Sequence, residues 1–122
     1  MYATKPDVTP DSLRSAIEAR DAETLSALYA DNAVITIMDR DHPPGAPMLV
    51  SGRAAINEYC ADICSRNMTH AVETAVADES HLAFIERCAY PDGTRVVCSA
   101  ILDTAGGRIQ RQVALQVWDD AS

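Results

Sequence analysis

A glutamate within an apolar stretch is the first candidate for chemistry. In the segment 82–89, the alternation of a β-strand places Glu86 on the same face as Phe84 and Cys88. A carboxylate between apolar neighbours loses hydration and accepts a proton more readily, which suits a general base near neutral pH. The sequence leaves a second interpretation open, in which Glu86 is a structural carboxylate, either partly solvated at the mouth of a cavity or hydrogen-bonded to Gln112 or Gln116.

Two histidines and an aspartate extend the list of acid–base candidates. His70 shares a strand face with Met68 and is expected to be half-buried, either as a proton shuttle or as a structural residue. Asp39 ends a β-branched segment, near the expected mouth of a cavity, and His42 follows in a proline-rich loop. This loop is interpreted either as a solvated, salt-bridged segment or as a lid that contacts a ligand.

Aromatic residues indicate what kind of ligand would fit. Tyr59, Tyr90 and Trp118 combine flat apolar surfaces with polar tips, which suits an aromatic or polycyclic molecule, although they serve equally well as core. No phosphate-binding glycine loop or nucleophile elbow is present, and no cofactor is expected. The four cysteines lack the spacing of a zinc knuckle, so they are interpreted as reduced, buried thiols, and no metal is expected.

The elements that would position these residues follow from the changing period of the sequence. Thr9-Pro10-Asp11 predicts a helix start, Asp21 caps a second short helix, and Asp31-Asn32 is the expected turn into a strand over 32–39. A third helix begins at Ser51-Gly52 and ends near 66–67. Four strands follow at about 68–77, 81–90, 94–104 and 108–118, and their short turns predict antiparallel neighbours. The chain is expected to form a single domain spanning 1–122, in which residues 1–8 are a loose N-terminal tail.

Three motifs resemble the nuclear-transport-factor-2-like superfamily, which includes SnoaL-like proteins and ketosteroid isomerases. They are the helix-to-strand segment 19–34, the start of the third helix at Ser51-Gly52-Arg53-Ala54-Ala55-Ile56, and Gly107-Arg108-Ile109 before the last strand. The resemblance covers about residues 10–119. It implies an α+β fold in which a curved, mostly antiparallel sheet wraps around helices to form a cone-shaped cavity.

Comparison with the ketosteroid isomerases also implies which side chains face the cavity. Their three catalytic positions correspond here to Ile37, Leu13 and a site near Ser99 or Ile101, so their catalytic machinery is absent. Their inward positions correspond to Phe84, Glu86, Cys88 and Tyr90 on one strand, and to Gln112, Ala114, Gln116 and Trp118 on the last strand.

The opposite face of the last strand is apolar, with Val113, Leu115 and Val117. A sheet whose second face is also apolar needs a second partner, and in this superfamily the outer face commonly forms a dimer contact. The chain is therefore expected to be a homodimer. The alternative is a reversed orientation, with the glutamines in solvent and the three aliphatic residues in the core.

Composition narrows the function classes. The net charge of −8 with scattered basic residues argues against nucleic-acid binding. No apolar run approaches the ~20 residues of a membrane span, and the start does not resemble a secretory signal, so a cytoplasmic location is expected.

Two functions remain. The first is a cofactor-independent isomerase, cyclase or dehydratase acting on a small apolar carbonyl compound, with Glu86 or Asp39 as base and His70 as partner. The second is a binding module without turnover, for a small hydrophobic molecule or in a dimeric regulatory role.

Overall fold

Three helices pack against one six-stranded sheet in the computed structural model, which describes residues 6–120. The elements, in chain order, are α1 (Pro10–Glu18), α2 (Ala22–Ala27), β1 (Tyr29–Met38), β2 (Met48–Ser51), α3 (Arg53–Ser65), β3 (Thr69–Ala77), β4 (His81–Ala89), β5 (Arg95–Ala105) and β6 (Arg108–Asp119).

The sheet order is β2-β1-β6-β5-β4-β3. The meander from β3 to β6 is antiparallel throughout, as its short turns predicted, and β1 pairs with β6 in parallel. The strand β2 was not predicted, because it has only four residues and follows a proline-rich loop. None of the helices in residues 6–120 is long and apolar enough to cross a membrane.

The helix starts follow the sequence signals. Thr9 and Ser12 form a reciprocal capping box around Pro10 at the start of α1, with the Ser12 amide donating to Thr9 Oγ1 at 3.0 Å. The side chain of Asp21 caps α2 by accepting from the Thr24 amide at 3.1 Å. Gly52 precedes α3 with φ of 87°, a conformation that a side chain would strain.

Two predictions at the chain start and around α2 were wrong. The strand β1 begins at Tyr29, so Asp31-Asn32 lies inside the strand, in a stretch where the pairing with β6 shifts register. The residues 6–8 are not loose, because the Val8 amide donates to the Gly107 carbonyl at 2.9 Å. The other residues of the predicted tail, 1–5, lie outside the described residues.

The core lies between the helices and the inner face of the sheet. Its fully enclosed members come from every layer, and they include Leu28, Ala33, Ile35, Ile56, Leu102 and Ile109. The guanidinium of Arg53 ties α3 to the junction of α2 and β1, because it donates to the backbone carbonyls of Ser26, at 2.7 Å, and of Tyr29. This side chain therefore links α3 to the end of α2 and the start of β1.

A bulge in β3 is held by helix α1. The register between β3 and β4 shifts between Val72 and Thr74, which leaves Glu73 as the extra residue. Both backbone groups of Val72 are bound by α1: its amide donates to Glu18 Oε2 at 2.8 Å, and its carbonyl accepts from Arg14 Nε at 3.3 Å. The two side chains therefore clamp the edge strand at the point where its register changes.

Substituting Glu18 by Ala is expected to lower the free energy of unfolding by about 1 kcal/mol, because the Val72 amide loses its charged acceptor while Glu18 itself is exposed. Urea unfolding followed by circular dichroism measures this. Glu58→Ala is the control: Glu58 is exposed on α3, has no hydrogen bond or ion pair within residues 6–120, and should change stability by less than about 0.5 kcal/mol. Equal effects of the two variants would contradict the clamp.

Candidate functional site

A cavity lies between the inner face of the sheet and the helices. Its wall includes every predicted site residue except Asp39 and His42, namely Tyr59, His70, Phe84, Glu86, Cys88, Tyr90, Gln112, Gln116 and Trp118. The orientation of the strands is the predicted one: Glu86 and Gln112 are buried, whereas Val113, Leu115 and Val117 are 41%, 50% and 70% exposed. The reversed orientation is therefore excluded.

The cavity contains a buried carboxylate–imidazole pair. Nδ1 of His70 lies 2.5 Å from Oε2 of Glu86, and the two side chains are only 6% and 11% exposed. They come from adjacent strands, since His70 is paired with Cys88 and Val72 with Glu86. The hydrogen bonds from Glu86 to Gln112 or Gln116 that the second interpretation predicts are not formed. The carboxylate is bound by His70 and Cys88 instead.

The thiol of Cys88 completes this cluster. Its Sγ lies 3.4 Å from both Oε2 of Glu86 and Nδ1 of His70. Burial, together with the charge of Glu86, raises the pKa of this thiol, so it stays protonated and donates to Oε2. Sγ of Cys88 and Oε2 of Glu86 thus both lie within hydrogen-bond distance of the same imidazole nitrogen, Nδ1 of His70. A cysteine nucleophile activated by a histidine and oriented by an acid would need one ring nitrogen for each partner, so the cluster lacks that arrangement.

Because both hydrogen bonds to Glu86 end on Oε2, its other oxygen, Oε1, has no partner among residues 6–120. No fully buried side-chain oxygen or nitrogen in that part of the chain lacks a partner, so Oε1 is accessible to the cavity. A general base needs a free lone pair within reach of the substrate, and this oxygen provides one.

Hydrogen-bond donors face the same space. The hydroxyl of Tyr29 donates to Oε1 of Gln112 at 2.5 Å, which fixes the orientation of this amide and leaves its Nε2 group without a partner among the described residues. The hydroxyl of Tyr59 is likewise unpaired within residues 6–120. Burial raises the pKa of both tyrosines, so both hydroxyls remain protonated donors.

Sequence reasoning missed Tyr29. The helical spacing of Leu25, Leu28 and Tyr29 in the sequence predicts that Tyr29 belongs to the second helix. In the structure Tyr29 is the first residue of β1, and it pairs with Ile109 of β6. Only the parallel pairing of β1 with β6, which no turn in the sequence indicates, brings it to Gln112.

The mouth of the cavity is aromatic. Tyr90 and Trp118 stack with their ring centres 6.1 Å apart, and Nε1 of Trp118 donates to Oε1 of Gln116 at 3.2 Å. The guanidinium of Arg40 lies over the indole at 4.6 Å from the ring centre, and Arg66 donates to the Tyr90 hydroxyl at 3.3 Å. Gln116, like Gln112, therefore has its oxygen occupied and its amide nitrogen available.

The structure places Asp39 and His42 outside the cavity wall. Oδ1 of Asp39 accepts from the Asp41 amide at 2.9 Å and lies 2.8 Å from Nδ1 of His42. Partial burial raises the pKa of Asp39, but the hydrogen bonds from His42 and the Asp41 amide lower it more, and the net shift is downward. This favours the interpretation of the loop as a salt-bridged segment over that of a lid with a catalytic aspartate.

The SnoaL-like domain family matches residues 11–112, which is most of the chain. The chain belongs to the SnoaL-like family. Comparison with curated protein sequences gives no match.

Solved structures show the same fold. A provisionally named ketosteroid isomerase from Kribbella flavida is 19% identical, with 92% of this chain and 76% of that chain covered and a TM-score of 0.72. An NTF2-like protein of unknown function from Mesorhizobium loti is 18% identical, with 86% and 84% covered and a TM-score of 0.75. A computationally designed 17-OHP binder is 17% identical, with 90% and 93% covered and a TM-score of 0.64.

These similarities confirm the predicted superfamily and the α+β cone fold, with a curved, unclosed six-stranded sheet. At such low identity they establish the fold alone. The role of each site residue stays a prediction, which rests on the geometry described above.

The deep thiols of this SnoaL-like chain are expected to be unreactive. Burial raises the pKa of Cys60 and of Cys98 to about 12, so at pH 8 only about one molecule in ten thousand carries either thiolate. Reaction with Ellman's reagent at pH 8 should therefore be slow at both cysteines in the native protein and fast in 8 M urea. Mass spectrometry of partly labelled protein identifies the sites, and Cys64, which is less buried, should be labelled before either. Rapid native labelling of Cys60 or Cys98 would contradict the burial.

Proposed function

We propose that this SnoaL-like protein is a cofactor-independent enzyme that moves a proton on a small apolar carbonyl compound. One observation carries the proposal: two acid–base groups, Glu86 and His70, lie within hydrogen-bond distance of each other in an otherwise largely apolar cavity. A site that only binds an apolar ligand has no need for a buried carboxylate, which is costly to desolvate.

The reaction would begin at the free oxygen of Glu86. Oε1 removes a proton from the carbon next to the carbonyl group, and the electron pair of the broken C–H bond moves onto the carbonyl oxygen. The amide nitrogen of Gln112 and the hydroxyl of Tyr59 can donate to that oxygen as its charge develops. Protonated Glu86 then returns the proton. Return to the same carbon is proton exchange, whereas return to the far carbon of a conjugated enolate moves the double bond and completes an isomerisation.

His70 would hold the base in place. Its Nδ1 hydrogen bond anchors Oε2, so Glu86 keeps one rotamer with Oε1 directed at the substrate. The imidazole also stabilises the negative carboxylate before proton transfer, in a cavity where little water is present.

The size of the cavity favours a small substrate. The cavity has a volume of about 80 Å³, whereas one water molecule occupies about 30 Å³ in the liquid. That volume suits a single ring or a short chain, seated between the aromatic pair at the mouth and the apolar side chains of α1.

Replacing Glu86 by Gln is expected to reduce proton exchange by about 10²–10⁴-fold, because the amide cannot accept the proton. The assay is proton NMR in D2O, which follows loss of the α-proton signal in a panel of small enolisable ketones such as cyclohexanone, cyclohex-3-enone and 1-indanone. Glu58→Gln is the control, since Glu58 is exposed on α3, away from the bulge and the cavity wall, and should leave exchange unchanged.

Binding without turnover is the second candidate, and the similarity to the designed binder favours it as a property of the fold. It would be supported if the wild-type protein binds ketones of the panel, as seen by line broadening, and accelerates no exchange. Exchange that survives in Glu86→Gln would contradict the assignment of the base.

We also infer that the outer face of the sheet joins two copies of the chain. Outward-facing side chains form a row across all six strands, because Leu49 pairs with Thr36, Thr36 with Val113, Val113 with Ile101, and Ile101 through Ala83 with Val76. Four members of this row are exposed large apolar residues: Leu49, Val113, Ile101 and Val76. Leu115 and Val117 extend this surface on β6. A continuous apolar surface of this kind is typical of an interface, and an identical copy offers the matching face.

Introducing a charge there should separate the copies. Leu115→Arg is expected to convert a species of twice 13.2 kDa into one of 13.2 kDa in sedimentation equilibrium, because each interface would receive two buried guanidinium groups. Ala61→Arg, on the exposed side of α3, is the control and should remain dimeric. A wild-type chain that sediments as a monomer at high micromolar concentration would overturn this inference.

A cytoplasmic location and the absence of nucleic-acid binding stay predictions.

A further inference from the structure

Three side chains of different chemical type converge in the cavity. The donor atoms of His70, Glu86 and Cys88 lie within 4.8 Å of one another. The strand pairing positions them, because His70 is directly opposite Cys88 and Glu86 lies two residues before Cys88 on the same face. Imidazole, carboxylate and thiolate are the three ligand types of zinc sites in proteins.

The distances are close to those of a tetrahedral site. Bonds of about 2.0–2.3 Å from a zinc ion to N, O and S ligands place the ligand atoms about 3.4–3.6 Å apart in a tetrahedron. The sulfur of Cys88 already lies 3.4 Å from each of the other two donor atoms. The remaining pair, at 2.5 Å, is closed by a hydrogen bond and needs to open by about 1 Å.

The charges also balance. When a divalent ion binds, the thiol of Cys88 releases its proton to water, and the imidazole proton moves from Nδ1 to Nε2 so that Nδ1 can coordinate. The ion, the thiolate and the carboxylate then sum to zero, which is the favourable state in an apolar cavity. Sulfur and nitrogen ligands favour zinc and its transition-metal neighbours over magnesium or calcium.

We propose that His70, Glu86 and Cys88 form a three-residue binding site for a zinc-type divalent metal ion, with its fourth position open to the cavity. The ion takes Oε2 of Glu86 and Nδ1 of His70, and the positive charge makes the bound carboxylate a much weaker base at Oε1, so metal binding switches off the acid–base pair. This regulatory consequence rests on the proposed function, whereas metal binding itself does not.

Cobalt(II) is the probe, because thiolate coordination produces a charge-transfer absorption band in the near ultraviolet. Protein treated with a chelator and titrated with Co²⁺ in the absence of any ketone is expected to give this band with a stoichiometry of one ion per chain. Added Zn²⁺ should abolish the band by displacement. Failure to develop it would overturn the metal site and leave the ketone exchange assay unaffected.

Matched cysteine variants locate the ligand. Cys88→Ser is expected to lose the band and to bind Co²⁺ at least about tenfold more weakly, since even indirect support of a metal ligand is worth that much. Cys98→Ser is the control, because Cys98 also lines the cavity, opposite Glu86 on β5, and should keep the band. A band that persists in Cys88→Ser, or that disappears in Cys98→Ser while the fold measured by circular dichroism is intact, would contradict the assignment.

A third variant tests the site independently, in case Cys88→Ser fails to fold. Glu86→Gln keeps the shape of the side chain and should retain the thiolate band with at least about tenfold weaker Co²⁺ binding. Unchanged affinity in this variant would remove the carboxylate from the site. If the wild type exchanges ketone protons, one equivalent of Zn²⁺ should abolish this activity and a chelator should restore it; full activity with the metal bound would overturn the regulatory role.

Discussion

The bulge at Glu73 decides which way His70 points. Side chains alternate along a strand, so one extra residue exchanges the two faces of everything beyond it. On the turn side of the bulge, Ala75 pairs with Phe84 on the inner face. Continued without interruption, that register would set Ala71 opposite Cys88 and turn His70 to the outside. The extra residue restores His70 to the inner face, opposite Cys88.

Helix α1 is therefore part of the site although only its apolar side chains line the cavity. Its two ends contribute differently: the capping box fixes where the helix begins, and Arg14 and Glu18 bind Val72 beside the bulge. The position of this helix is thus transmitted to His70 through the backbone of Val72, two residues along β3. Such an arrangement keeps the polar pair rigid without any additional polar group inside the apolar layer.

The sequence was informative where local rules decide the structure. Turn residues and alternation placed β3 to β6 and the direction of Glu86 and Gln112, because short antiparallel connections leave little freedom of register. It was uninformative where distant segments meet. The parallel pairing of β1 with β6 and the hydrogen bond from Tyr29 to Gln112 each join residues that no turn connects. The contact of His70 with Glu86 lies within one hairpin, but it depends on the bulge at Glu73, which shifts the register set by the turn. The place of Asp39 outside the cavity wall could not be predicted for a related reason, since a strand terminus says little about the loop that follows.

The chain has a single tryptophan, and it stands at the entrance to the cavity. Trp118 lies between a phenol ring and a guanidinium, with its indole nitrogen bound to a glutamine. The fluorescence emission of the protein therefore originates almost entirely from this one tryptophan. Any molecule that passes between the rings, or any movement of the Arg40 loop, alters the polarity around the sole strong fluorophore, so the protein carries a built-in optical reporter of what enters it.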